Sequence, residues 1–228
     1  MTSIFLSRSD EERLLKEFLP RDGFFVDVGA NDPVVGSQTW FLEQQGWRGL
    51  LVEPQPHFAE RLRRERTSKV VQKACGERKD IGKVLPLTIL GTNAALFPDR
   101  VFDRIDDDAR TVDVEIDTLD NMLIGEGVDR VDYVSLDIEG YEVDALRGFD
   151  IARYAPKLIL IEDHLFNLTK HRFLKSAGYK WVRRTQNNNW YMPKEQPFPL
   201  TLLDKLQLFR KMYIGMPFRN LKKWIRSF

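Results

Sequence analysis

Short apolar runs, each closed by a glycine or an acid and followed by an amphipathic stretch, recur along this 228-residue chain. That alternation constrains the fold more than any other feature, because strand and helix in turn make βαβ units and a largely parallel sheet. Phe24–Val28 is such a run, closed by Gly29, and reads as a buried strand. Residues 37–45 follow as a helix ended by Gly46. Residues 49–52 make the next strand, 57–66 a charged amphipathic helix, and Val70 and Val71 lie in a third strand. Strands are expected near 84–90 and 111–116 with an acidic loop between them. Residues 131–136 read as a strand, 141–147 as a helix ending at Gly148, 158–161 as a strand, and 169–177 as a helix closed by Gly178. Residues 179–184 and 189–192 flank Gln-Asn-Asn-Asn and read as an antiparallel hairpin. Pro193, Pro197 and Pro199 then mark a linker. The expected organisation is a helical lead-in over 1–22, a main domain over 23–193, and a linker with a basic tail over 194–228.

Apolar residues at 43% and aromatics at 11% exclude disorder as the main state. Cys75 is alone, so no disulfide scaffold forms, which fits a reducing cytoplasm. No apolar stretch reaches the roughly 18 residues of a spanning helix. The first ten residues lack a basic flank followed by an apolar core, so no signal peptide is expected. The net charge of +1 conceals an asymmetry: residues 201–228 hold seven bases against one acid, a net +6, which leaves −5 for the rest. An acidic body argues against a nucleic-acid partner.

The first motif with chemical content is Val26-Asp-Val-Gly-Ala-Asn-Asp32. A glycine directly after a buried strand lets the chain turn sharply and lets a ligand approach the backbone. Glu53 ends the next strand, 24 residues after Gly29, where an acid in a doubly wound fold takes the two hydroxyls of a ribose. Taken singly, these are a tight turn and a solvated acid; in this order they indicate nucleoside binding. A dinucleotide fingerprint needs G-x-G-x-x-G, but Asn31 and Val34 occupy the second and third glycine places. Asp27 beside the turn would repel phosphates and attract an ammonium group. A cationic ligand with a ribose and no phosphate fits, and S-adenosylmethionine is such a ligand.

Three blocks resemble the FkbM family of S-adenosylmethionine-dependent methyltransferases: Phe25-Val-Asp-Val-Gly-Ala-Asn31, Leu51-Val-Glu-Pro54, and Val134-Ser-Leu-Asp-Ile-Glu-Gly-Tyr-Glu142 leading to Leu146-Arg-Gly148. The resemblance covers about residues 23–193. It implies a Rossmann-like class I α/β fold with helices on both faces. Its seven-strand, mostly parallel sheet would run in order 3-2-1-4-5-7-6, with the last strand antiparallel. By position it implies that Asp27, Gly29, Ala30 and Asn31 line the methionine end of the cofactor, with Ser37 nearby. Glu53 would hold the ribose, Pro54 would lie beside the adenine, and Cys75 falls among the adenine contacts. Cys75 reads equally as a small buried residue.

Asp137 ends the fourth strand of the main domain, next to where the methyl sulfonium would lie, or else caps the following helix. Glu162 and Asp163 end the fifth strand, so the three acids are expected to share one rim. Carboxylates so gathered repel unless protons or a cation offset them, and a divalent ion such as Mg²⁺ or Mn²⁺ would suit the oxygen set. Without a metal a base must take the acceptor's proton. His164 is the best placed histidine; His57 and His171 read as surface residues. Glu139 reads as a base, a substrate ligand or a helix N-terminal acid. Asn187, Asn188, Asn189 and Trp190 could grip a sugar or simply build the turn. Asn93 and Asp106–Asp108 could belong to an acceptor loop.

The reaction expected is methyl transfer to a hydroxyl, with a sugar acceptor (glycan, polysaccharide or glycosylated natural product) implied by the resemblance. An oxidoreductase using NAD and a non-catalytic nucleoside-binding module are the alternatives. The tail reads in three ways: an interfacial helix at the inner face of a membrane, a helix pair docked on a partner subunit or a glycosyltransferase, or a helix packed on its own domain; a homo-oligomer is a separate expectation. The location expected is cytoplasmic, free or peripheral at that membrane face.

Overall fold

A computed structural model describes residues 5–6, 11–90, 93–98 and 109–226. In chain order its strands are β1 (Phe5–Leu6), β2 (Phe24–Val28), β3 (Arg48–Val52), β4 (Lys69–Val71), β5 (Ala74–Cys75) and β6 (Val84–Leu90). They continue as β7 (Asn93–Ala95), β8 (Arg110–Asp117), β9 (Tyr133–Leu136), β10 (Leu158–Glu162), β11 (Tyr179–Thr185) and β12 (Asn188–Pro193). The helices are α1 (Glu11–Phe18), α2 (Trp40–Glu43), α3 (Pro56–Glu65), α4 (Leu119–Gly125), α5 (Glu142–Arg147), α6 (Ile151–Tyr154), α7 (Thr169–Ser176), α8 (Leu202–Phe209) and α9 (Gly215–Arg226).

The main sheet has eight strands in the order β1-β11-β12-β10-β9-β2-β3-β4. All neighbours pair in parallel except β12, which is antiparallel to both β10 and β11. The fold is α/β with a mixed sheet. It departs from the expected seven strands in two details. The N-terminal segment is not purely a helical lead-in, since Phe5–Leu6 adds an eighth strand beside β11. In addition β6, β7 and β8 pair antiparallel, with β5 on the edge of β8, as a separate four-stranded sheet.

The apolar runs of β2, β3, β9 and β10 bury both faces, as a covered parallel sheet requires. Alternation sorts them: Val26, Leu50, Val134 and Ile159 join one core, while Phe25, Leu51, Tyr133 and Leu158 join the other. Leu14 and Leu15 of α1 close the second core, and the Glu11 carboxylate is buried at its edge, accepting from Thr185 Oγ1 and Asn188 Nδ2.

Helix α2 is shorter than the expected 37–45. The Ser37 hydroxyl accepts the Thr39 and Trp40 amides at 3.3 and 3.1 Å, a local bond that holds 37–39 outside the helix. The hairpin turn is also shorter than expected, because Asn188 and Asn189 are ladder residues of β12. Asn189 and Trp190 are fully buried; the indole donates to Thr185 Oγ1, and Asn189 Nδ2 donates to Asp163. These side chains tie β12 to β11 and to the end of β10. His171 is half-buried rather than on the surface, with Nδ1 at 3.2 Å from the Tyr191 hydroxyl. His57 is exposed.

Candidate functional site

A cavity of about 400 Å³ opens at the carboxyl ends of β2, β3 and β9, the side on which open α/β sheets bind ligands. Its floor is the turn after β2. Gly29 has φ +84, and a Cβ there would stand 2.0 Å from the Asp137 carbonyl oxygen. Only glycine lets the turn lie this close to the end of β9. Asn31, at φ 49, continues the turn and donates its amide to Glu53 Oε2 at 2.8 Å.

Glu53 is buried at the end of β3, and its other oxygen accepts the Gln55 amide at 2.8 Å. Burial pushes its carboxyl up to about 7, against the pull of those two amides. Asp27 is buried as well, and its Oδ2 accepts from Thr39 Oγ1 at 2.7 Å. Burial raises this carboxyl too, while Thr39 and the nearby Arg66 oppose the rise. Arg66 ties the whole turn down. Its guanidinium donates to Glu43 Oε2 (3.1 Å), the Pro33 carbonyl (3.1 Å), Ser37 Oγ (3.3 Å) and Thr39 Oγ1 (3.2 Å).

Ala30, Ser37, Pro54 and Cys75 also line this cavity. The Cys75 thiol is pushed up to about 12 by burial, so it presents a neutral, compact wall. Leu87 and Leu96, contributed by and beside the second sheet, close the opposite wall. Of the residues weighed for an acceptor loop, Asp106–Asp108 and the side chain of Asn93 lie outside the described residues.

Beyond Asp137 the cavity reaches Glu139, which holds a left-handed φ of 47. Such a backbone is uncommon for a long side chain and marks a constrained position. Burial pushes the Glu139 carboxyl up to about 7, and Asp137 and Glu142 add to the rise. Next to it, burial raises the Glu162 carboxyl, while a hydrogen bond with Asp137 restrains the rise. Two carboxyl groups so close cannot both carry charge without mutual repulsion. One ligand atom from each of Glu139, Glu162 and His164 lies within 4.8 Å of the others. His164 is exposed at this rim, and partial desolvation, then Lys170 and Arg184, hold its imidazole below the ordinary value.

The expected trio of acids therefore converges only in part. Asp137 and Glu162 meet, but Asp163, the next residue along from Glu162, points to the other face. Its Oδ1 accepts the Leu165 amide at 2.9 Å and its Oδ2 the Asn189 amide group at 3.3 Å. Alternation along an extended chain explains the split, since adjacent side chains cannot share a face. Glu139 and His164 take the place expected for Asp163.

Two partners stand behind the site, one inside the Asp-x-Glu-Gly-x-Glu block and one, Lys170, with no signal of its own in the sequence. The Glu142 carboxylate is buried, accepts the Gly140 amide at 3.0 Å, and lies 2.8 Å from Lys170 Nζ. Lys170 also donates to the Glu162 carbonyl at 2.6 Å. Thus the second glutamate of the Asp-x-Glu-Gly-x-Glu block clamps the loop that carries the first.

A doubly wound sheet, a glycine turn with a buried acid at the next strand end, and carboxyl groups past the fourth strand define a protein of the methyltransferase class. The methyltransferase FkbM domain matches residues 27–183, well over half of the chain, and the chain belongs to that family. Membership implies S-adenosylmethionine as the methyl donor. One similar solved structure is precorrin-6y C5,15-methyltransferase from Geobacter metallireducens GS-15, 15% identical, with a TM-score of 0.40, covering 81% of this chain and 86% of that one. No curated protein matches the chain significantly.

Proposed function

We propose that this protein transfers the methyl group of S-adenosylmethionine to a hydroxyl of a sugar, within a glycan, a polysaccharide or a glycosylated natural product. One observation carries the reading: a single cavity joins buried Glu53 at one end to Asp137 and Glu139 at the other. The residues present fit the donor. Each Glu53 oxygen holds one backbone amide, the Gln55 side chain takes a further lone pair, and the carboxylate keeps acceptor capacity for a ribose hydroxyl. Gly29, Ala30 and Asn31 leave the turn without bulk, Asp27 provides a buried acid near the amino-acid end, and Ser37 stands beside it. Pro54 and Cys75 offer flat, uncharged walls for a purine. Bound there, the donor supplies a methyl group already activated on sulfur.

The chain's remaining work is to align the acceptor and remove its proton. Glu139, poised near 7, is the group that takes the proton from the acceptor hydroxyl. Asp137 and Glu162 hold the acceptor's neighbouring hydroxyls, and His164 bonds a further one. The sugar assignment is supported by the family resemblance and by the density of hydroxyl-binding carboxyl groups at that end.

A screen of activated sugars and glycan oligomers for uptake of labelled methyl tests the proposal. Methylation of a hydroxyl on at least one sugar acceptor is expected; transfer only to nitrogen or sulfur nucleophiles would overturn it. The proximity of Glu139, Glu162 and His164 favours a second reading, in which a divalent cation lowers the acceptor hydroxyl's pKa. Their mixed oxygen and nitrogen set suits Mn²⁺ better than Mg²⁺. Loss of turnover in EDTA with recovery in Mn²⁺ supports that reading, and full turnover in chelator removes it.

A further inference from the structure

The C-terminal arm is attached to the domain the wrong way round for a helix that belongs to its own core. In α8 and the π-helical turn after it (Arg210–Ile214), Leu208 and Met212 are buried in the main core. Past the turn the contact becomes polar. Arg219 Nε and Nη2 donate to the Leu165 carbonyl at 3.1 and 2.9 Å, and Asn220 Nδ2 donates to the Phe166 carbonyl at 3.0 Å. At 3.6 residues per turn, Phe218, Leu221, Trp224 and Ile225 fall on the opposite side of α9. They are 65%, 53%, 60% and 58% exposed. Helix α9 thus turns its polar side to the protein and its apolar side outward.

The apolar exposure is concentrated in this arm. Ten of the sixteen large apolar side chains exposed among the described residues fall within 202–225. Lys205, Arg210, Lys211 and Lys222 are exposed along the same arm. Its one acid, Asp204, is bound to the Thr201 amide and hydroxyl, both at 2.8 Å, in the cap of α8. Among the described residues no helix is long and apolar enough to cross a membrane.

We infer that α8 and α9 form an interfacial arm that lays this apolar side into an anionic lipid bilayer. An aliphatic stripe with a tryptophan, flanked by cations, needs hydrocarbon and negative headgroups together, and a bilayer offers both. Charge complementarity selects anionic over neutral lipid. The arm is anchored on Leu165 and Phe166, the two residues after His164, so docking brings the lipid surface beside the acceptor end of the cavity. That last placement rests on the methyl-transfer reading. The docking does not, and a lipid-binding assay reads it without any turnover.

The test is sedimentation of the full chain with vesicles of phosphatidylcholine alone or mixed with phosphatidylglycerol. Binding to the anionic vesicles, weakened by salt and at least about tenfold above that to neutral ones, is expected. Leu221→Glu with Ile225→Glu, both at exposed positions, should reduce binding to the neutral-vesicle level with an unchanged thermal melt. Lys211→Glu with Lys222→Glu should weaken binding to anionic vesicles alone. Absence of wild-type binding, or equal binding by the Leu221→Glu/Ile225→Glu variant, overturns the inference. So does light scattering that finds a dimer dissolved by the Leu221→Glu/Ile225→Glu pair while vesicles are ignored, which assigns the face to a second copy.

Discussion

Glu139 combines a left-handed backbone, half-burial and a carboxyl raised to about 7, and no other residue of the cavity has all three. If it is the base, Glu139→Gln lowers kcat by about 10²–10⁴-fold and leaves the donor's affinity unchanged. The wild-type pH profile of kcat/KM should rise through about 7, the value to which burial and neighbouring acids push this carboxyl, and the variant should lose that limb. Glu53→Gln acts on the other end. Losing hydrogen bonds to a charged acceptor costs about 1.5–3 kcal/mol, so the donor's Kd should rise roughly 10- to 100-fold by titration calorimetry. Glu53 was legible because it ends an apolar run at a position where the fold places ligands, whereas Glu139, two residues past the acid that ends its strand, read equally as a base, a substrate ligand or a helix N-terminal acid. Asp163 was misplaced because a pair of adjacent acids was read as one unit. Arg66 and Lys170 were not legible at all. A cation's partner depends on which distant segments the fold brings together, and their acids, Glu43 and Glu142, lie 23 and 28 residues away.

At the scale of elements, the β2 turn and the loop after β9 are held by contacts that tolerate little change. Gly29→Ala sets a Cβ against the Asp137 carbonyl at a positive φ, so the turn must move. Donor binding should be lost to calorimetry even if the protein still melts cooperatively. Lys170→Met leaves the buried Glu142 carboxylate without its cation. Stranding such a charge costs about 3–5 kcal/mol, measurable as a fall in the urea midpoint, and adding Glu142→Gln should restore part of it. The strands of the main sheet were legible to within a residue or two, because a strand buried on both faces is a continuous apolar run. Strand β1 has two residues and no run to read. The small sheet packs few buried side chains, so the sequence suggested strands near 84–90 and 111–116 without showing that they wall the cavity.

For the whole molecule, the acids of the site set the dependence of stability on pH. Glu53 and Glu139 have folded values near 7 against an ordinary 4.5, so the folded state binds more protons than the unfolded one between those values. Their stabilisation is fully present below about 4.5 and is lost as pH rises through about 7. Asp132 and Asp117 are lowered despite burial, by hydrogen bonds and cations, so their contribution fades only as pH falls below the ordinary carboxylate value. Urea midpoints should therefore be higher at about pH 5 than at about pH 8, and Glu53→Gln with Glu139→Gln should flatten that slope. The charge asymmetry of the sequence has a spatial counterpart: buried acids line the strand ends of the site, and the arm fastened beside them carries seven bases against one acid. The central claim is that this cavity binds S-adenosylmethionine. Isothermal titration of the full chain with S-adenosylmethionine tests it most directly. One site per chain with a micromolar Kd, about −8 kcal/mol, is predicted, and Glu53→Gln should weaken it. No heat of binding at high-micromolar ligand would contradict the account.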